Sequence, residues 1–150
     1  MLDVGTDAPG FTLENQDGKT VSLEEFKERV VVYFYPRADT PGCTTEARGF
    51  RDAWDAFEER DVAVLGISDD PVDDLADFAA EYDLPFELLS DPEGETAADY
   101  DSYGEKTIGG NTFDGVFRNT YVVGEDGKIE AAYEGVSPEG HAEEILTDLD

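Results

Sequence analysis

Val30-Val31-Val32-Tyr33-Phe34-Tyr35-Pro36-Arg37-Ala38-Asp39-Thr40-Pro41-Gly42-Cys43 is the stretch whose reading decides the fold. Val30 to Tyr35 is apolar and aromatic without interruption. Such a run is expected of a strand buried on both faces. Pro36 lacks the N–H that would extend the ladder and stops it. From Cys43 to Arg60, Ala47, Phe50, Trp54 and Phe57 recur at steps of three and four, which predicts a helix with one apolar stripe. Pro41 and Gly42 make the turn between the two elements. Cys43 therefore falls in the first turn of a helix, where unpaired N–H groups and the helix dipole favour negative charge. The thiolate is the reactive form of cysteine.

Working outward, Val62 to Ile67 reads as a second buried strand, and Pro71 opens a helix with the stripe Leu75, Phe78, Ala79 and Tyr82. Phe86 to Leu89 reads as a short strand. Gln16-Asp17-Gly18-Lys19 and Glu125-Asp126-Gly127-Lys128 are Asp-Gly turns between β-prone runs, so each predicts a hairpin. The first hairpin is N-terminal. The second joins Thr120–Val123 to Ile129–Tyr133. Ser137-Pro138 looks like an N-cap and first helical residue, leading to a last helix with Ala142, Ile145, Leu146 and Leu149 on one face. Alternating strands and helices followed by a hairpin and helix predict an α/β fold, a central mixed sheet flanked by helices, on a thioredoxin-like plan. The length of 150 residues suits a single domain.

The charge is extreme. Asp and Glu number 38 against 10 Lys and Arg, for a formal net charge of -28. Such a surface repels phosphate backbones and anionic lipid, so nucleic acid and membrane are not expected partners. The acids are scattered rather than gathered in a tail. Their mutual repulsion is screened when salt shortens the Debye length to roughly 3 Å at 1 M. A salt-rich, halophilic cytoplasm is therefore the expected setting, and stability that rises with KCl would check it. Cys43 is the only cysteine, so no intramolecular disulfide can form. The N-terminus has no basic segment leading into an apolar run, so it does not read as a signal peptide. Asp69-Asp70 and Asp73-Asp74 lack the spaced oxygens and glycine of a calcium loop and read as a solvated face. No metal or cofactor is expected.

A free cysteine is often an inert small hydrophobe. Here its surroundings are polar and turn-rich. Thr40, three residues earlier, brings a hydroxyl able to donate and accept, and Pro36 can shield the thiol from water. Pro36-x-x-x-Thr40-x-x-Cys43 resembles the active-site motif of peroxiredoxins. Val32 to Thr44 is similar to the bacterioferritin-comigratory, or Prx Q, branch. The likeness extends to Ala8–Leu13, Val64–Ser68, Leu88–Asp91, Tyr103–Lys106 and Asp126–Ile129.

The resemblance implies a peroxidase acting through Cys43, with Thr40, Pro36 and Gly42 around it and an arginine from a later strand beside it. Arg118 stands at the matching place, and a guanidinium can stabilise thiolate and orient peroxide oxygens. Glu46 corresponds to a position where the family often carries Glu or Gln. It reads equally as an Arg-orienting residue or as a first-turn carboxylate favoured by the dipole. Arg48 occupies the position of the resolving cysteine of many relatives. The resemblance therefore implies a one-Cys mechanism in a monomer or weak homodimer. The expected partners are a peroxide and an external thiol, either a thioredoxin-like protein or a small thiol. The alternative is a peroxide sensor that passes oxidation to a partner protein. A Cys–His hydrolase would have to use His141, the only histidine, which reads as an exposed residue near a helix start.

Overall fold

Period two along the central strand explains the architecture. In a computed structural model describing residues 1–149, β3 (Arg29–Phe34) lies inside a seven-stranded sheet. Val31, Tyr33 and Tyr35 face one core cluster, while Val30, Val32 and Phe34 face another. Both sides of the strand are buried, so no polar alternation marks it in the sequence.

The sheet order is β2 (Thr20–Ser22), β1 (Thr12–Asn15), β5 (Glu87–Ser90), β4 (Val62–Ser68), β3, β8 (Thr120–Val123) and β9 (Ile129–Tyr133). β3 pairs in parallel with β4, which pairs in parallel with β5. β8 runs antiparallel to β3 and to β9. The N-terminal hairpin forms from β1 and β2. Its turn is held by Asn15 Oδ1, which accepts from the N–H groups of Asp17 at 2.9 Å and Lys19 at 3.0 Å. The mixed α/β, thioredoxin-like plan is thus the one expected.

Helices α1 (Pro41–Asp52), α2 (Trp54–Glu59), α3 (Val72–Tyr82) and α5 (His141–Leu149) bury their stripes in the first cluster. Phe50 is at its centre, stacked on Tyr33 with centroids 4.6 Å apart. Burying such a ring is worth about 2–3 kcal/mol. The short helix α4 (Glu95–Asp99) adds Ala97 to the second cluster, beside Tyr100 and Phe11.

Two local expectations are corrected, and one hairpin is new. The helix from Cys43 to Arg60 is broken at Ala53, with φ -95 and ψ 4. The break redirects the chain so that Phe57 meets Phe50 at 5.8 Å and Trp54 meets Phe86 at 6.1 Å. Pro71 opens α3 as expected, standing at its N-cap. Ser137-Pro138 does not open the last helix. Gly140, at φ +73, comes between, and its carbonyl accepts the first helical bond from Glu144 N–H at 3.1 Å. A hairpin absent from the sequence reading, β6 (Tyr103–Ile108) with β7 (Asn111–Val116), forms a separate two-stranded sheet. Its turn is Gly109-Gly110, both at positive φ, a conformation glycine adopts without steric cost.

Candidate active site

The β3–α1 corner is tied down from both sides. Tyr35 N–H donates to Ile67 O at 3.1 Å, carrying the β3–β4 ladder one residue past the strand. Half-buried Pro36 follows. Asp70 Oδ2 accepts from Ala38 N–H at 2.7 Å and from Ser68 Oγ at 2.8 Å, which fixes the loop to the end of β4. Thr40 is the N-cap of α1 and Pro41 its first residue, so Cys43 stands third in the helix. Thr40 spends its hydroxyl proton on Arg37 O, 2.9 Å away, and makes no side-chain bond to the helix N–H groups. Its oxygen keeps lone pairs for a donor. Among the described residues, the N–H groups of Gly42 and Cys43 have no backbone acceptor. These are the orphan donors of a helix start.

Cys43 is 1% exposed. Arg118 reaches it from the link between β7 and β8. There Phe117 N–H donates to Ser102 O at 2.8 Å, and Arg118 O accepts from Val136 N–H at 2.9 Å. Arg118 Nη2 donates to Cys43 Sγ at 3.4 Å, and Nη1 donates to Glu46 Oε1 at 2.8 Å. Residues 72 and 75 positions apart in the chain thus meet through one guanidinium. Gly42 makes room for it, since a Cβ there would stand 3.1 Å from Nη2.

Glu46 is fully enclosed, and its other oxygen, Oε2, has no partner. Burial pushes its carboxyl up to about 7, against the opposing pull of the Arg118 guanidinium. A carboxylate enclosed in this way costs free energy unless it is paired. It has the contacts of a buried counter-ion that holds the fork of Arg118, rather than those of an exposed first-turn acid.

His141 is not exposed as expected from sequence. It is 3% exposed and edge-on to Phe50 and Tyr133. Its Nε2 bonds Thr120 Oγ1 at 2.9 Å and its Nδ1 bonds Glu144 Oε1 at 3.0 Å. Burial holds its pKa below the usual value. Both ring nitrogens are engaged away from Cys43, so the imidazole is not poised as the base of a hydrolase. Arg48 lies exposed on α1. Among the described residues, no group of three His, Cys, Asp or Glu is arranged to hold a metal ion. No helix among them is long and apolar enough to cross a membrane. A surface groove of about 450 Å³ beside Tyr133 and Glu144 is not lined by Cys43. Attack on an O–O bond needs no such volume.

Sequence reasoning passed over Lys106 and Phe117. The Lys106 ammonium lies 5.7 Å from the centre of the Phe117 ring, next in the chain to Arg118. The Gly109-Gly110 pair, between Lys106-Thr107 and Thr112-Phe113, is a hairpin signal that would have brought this lysine toward the site.

Known proteins share this sequence and this fold over nearly the whole chain. The AhpC/TSA family model matches residues 4–132. Peroxiredoxin Bcp of Escherichia coli K12 is 42% identical over 146 residues, covering 97% of this chain and 94% of that protein. Among solved structures, a cysteine mutant of PrxQ from Xylella fastidiosa superposes with a TM-score of 0.93 at 30% identity, covering 99% and 96% of the two chains. Peroxidoxin BcpB of Mycobacterium tuberculosis gives 0.88 at 34% identity, covering 99% and 97%. The chain belongs to the AhpC/TSA family, in its Bcp/Prx Q branch of thiol-dependent peroxidases, and it lacks a resolving cysteine.

Proposed function

We propose that Cys43 is the peroxidatic nucleophile and that Arg118, Thr40 and the first turn of α1 form its peroxide site. The observation that carries this reading is the 3.4 Å contact of Arg118 Nη2 with the only thiol of the chain. The Cys43 thiolate attacks the nearer peroxide oxygen along the O–O axis. That bond breaks, and the far oxygen leaves with the electron pair and takes a proton to become water or alcohol. The unpaired N–H groups of Gly42 and Cys43 and the guanidinium stabilise the charge growing on it. Thr40 Oγ accepts a hydrogen bond from the peroxide. Glu46 holds the fork of Arg118, Gly42 gives the fork room, and Pro36 closes the approach to water.

Cys43 is left as a sulfenic acid. With no second cysteine, an external thiolate must form a mixed disulfide, and a second thiolate must release the enzyme. A thioredoxin-like protein or a small thiol fills this role. The enzyme works as a monomer or weak homodimer in a reducing cytoplasm, where a lone thiol stays reduced. The test is hydrogen peroxide consumption with excess dithiothreitol in high KCl. Wild type turns over and Cys43→Ser does not. A folded, reduced wild type without turnover would overturn the assignment.

A further inference from the structure

The reducing half of this cycle must bring an anion to a molecule of net charge -28. Thiols attack as thiolates, and the field of such a protein repels them. Of 10 Lys and Arg, Arg37 lies in the loop before α1, Arg48 on α1, Arg118 at the thiol and Lys106 on the β6–β7 hairpin.

Lys106 has the least expected setting. It is half-buried, opposite Phe113 in the hairpin register, and its ammonium is near the Phe117 ring. Its stem runs along Gly115, where a Cβ would stand 3.4 Å from the lysine Cδ. Among the described residues it forms no salt bridge, although the chain carries 38 carboxylates. Burial, and then the neighbouring Arg118 charge, lower its pKa, while Cys43 and Asp69 oppose the shift. A cation held near a second cation, partly out of water and without a carboxylate partner, costs free energy in the resting protein. An incoming anion offsets that cost.

We propose that Lys106 recognises the reducing co-substrate, and that this co-substrate is a thiol carrying a separate anionic group, a carboxylate or sulfonate. The inference rests on the one-Cys peroxidase reading. The peroxide has to reach the sulfur of a residue that is 1% exposed, whereas Lys106 lies on the more open hairpin. It therefore meets the tail of a longer reagent. In the bound state the thiolate sulfur faces Cys43 beside Arg118, and the tail anion faces Lys106. The thiolate attacks the sulfenic sulfur, the S–S bond forms, the S–O bond breaks, and hydroxide leaves and takes a proton from solvent. A second thiolate attacks the mixed disulfide and releases the Cys43 thiolate and a small-molecule disulfide.

The test oxidises the enzyme with one equivalent of hydrogen peroxide and follows loss of sulfenic acid, counted by dimedone labelling. Two thiols with the same two-carbon spacer serve as probes, anionic 2-mercaptoethanesulfonate and neutral 2-mercaptoethanol. The rate ratio of anionic to neutral thiol is compared between wild type and variants, so intrinsic thiol reactivity cancels. It is expected to fall by about three- to five-fold in Lys106→Gln, the range of one partly exposed ion pair, and to be retained in Lys106→Arg. An unchanged ratio in Lys106→Gln would overturn the proposal. Failure of wild type to form any sulfenic acid would instead remove the peroxidase reading beneath it.

Discussion

Helices α1 and α5 lie on the same face of the sheet, each begins after a loop containing proline, and each buries a polar side chain at its start. At α5 the side chain is His141. Both of its nitrogens are bonded, to Thr120 and Glu144, and aromatic rings close around it. At α1 the side chain is Cys43. Its neighbours retain unused capacity: the N–H groups of Gly42 and Cys43, the lone pairs of Thr40 and the second oxygen of Glu46. Buried polar groups are normally satisfied. The satisfied start stabilises the fold and is chemically closed, whereas the unsatisfied start is where a ligand can complete the bonding.

This contrast can be broken by substitution on either side. The largest expected effect is at α1. Arg118→Ala should slow Cys43 oxidation by roughly 10²–10³-fold, the usual consequence of removing one preorganised donor, in stopped-flow mixing with hydrogen peroxide. A rate equal to wild type would remove the distinction between the two helix starts. Next is α5. His141→Ala should destabilise the fold by about 2–3 kcal/mol, through two lost hydrogen bonds and a cavity. Its oxidation rate per folded molecule should equal that of wild type. Urea titration and the same mixing experiment separate the two readouts, and a slowed reaction in folded His141→Ala would make α5 part of the chemistry.

The smallest effect sharpens the comparison within α1. Because Glu46 titrates at about 7, the folded protein keeps a proton that the unfolded chain releases in the ordinary carboxylate range. The stability this contributes is fully present below that range and is lost as pH rises through about 7. Glu46→Gln does not titrate. Its stability relative to wild type should therefore rise between pH 5 and pH 8, by about 1–2 kcal/mol, in urea titrations at both pH values. A constant difference would mean that Glu46 is ionised throughout.

The central strand, the thiol at a helix start and the two Asp-Gly hairpins were legible because each depends on neighbours in the chain. An unbroken apolar run can only be a buried element. A stripe at steps of three and four can only bury one face of a helix. The break at Ala53 was not legible. It serves the approach of Trp54 to Phe86 and of Phe57 to Phe50, and nothing local announces those partners. The β6–β7 hairpin had a usable signal in Gly109-Gly110, hidden among weakly patterned polar residues.

Residue types and local spacing alone therefore determined the strand–turn–helix corner, the lone thiol, the absence of an internal disulfide and the strongly acidic surface. Tertiary structure decided the roles of the charged groups. Whether Glu46 was a solvated first-turn acid or an enclosed counter-ion depended on Arg118, 72 positions away. Whether His141 was exposed or sealed depended on Thr120, Phe50 and Tyr133. The physical reason is the same in both cases. The energy of a charge or proton is set by the partners and solvent within a few ångströms, and the pairing of distant strands and helices chooses those partners.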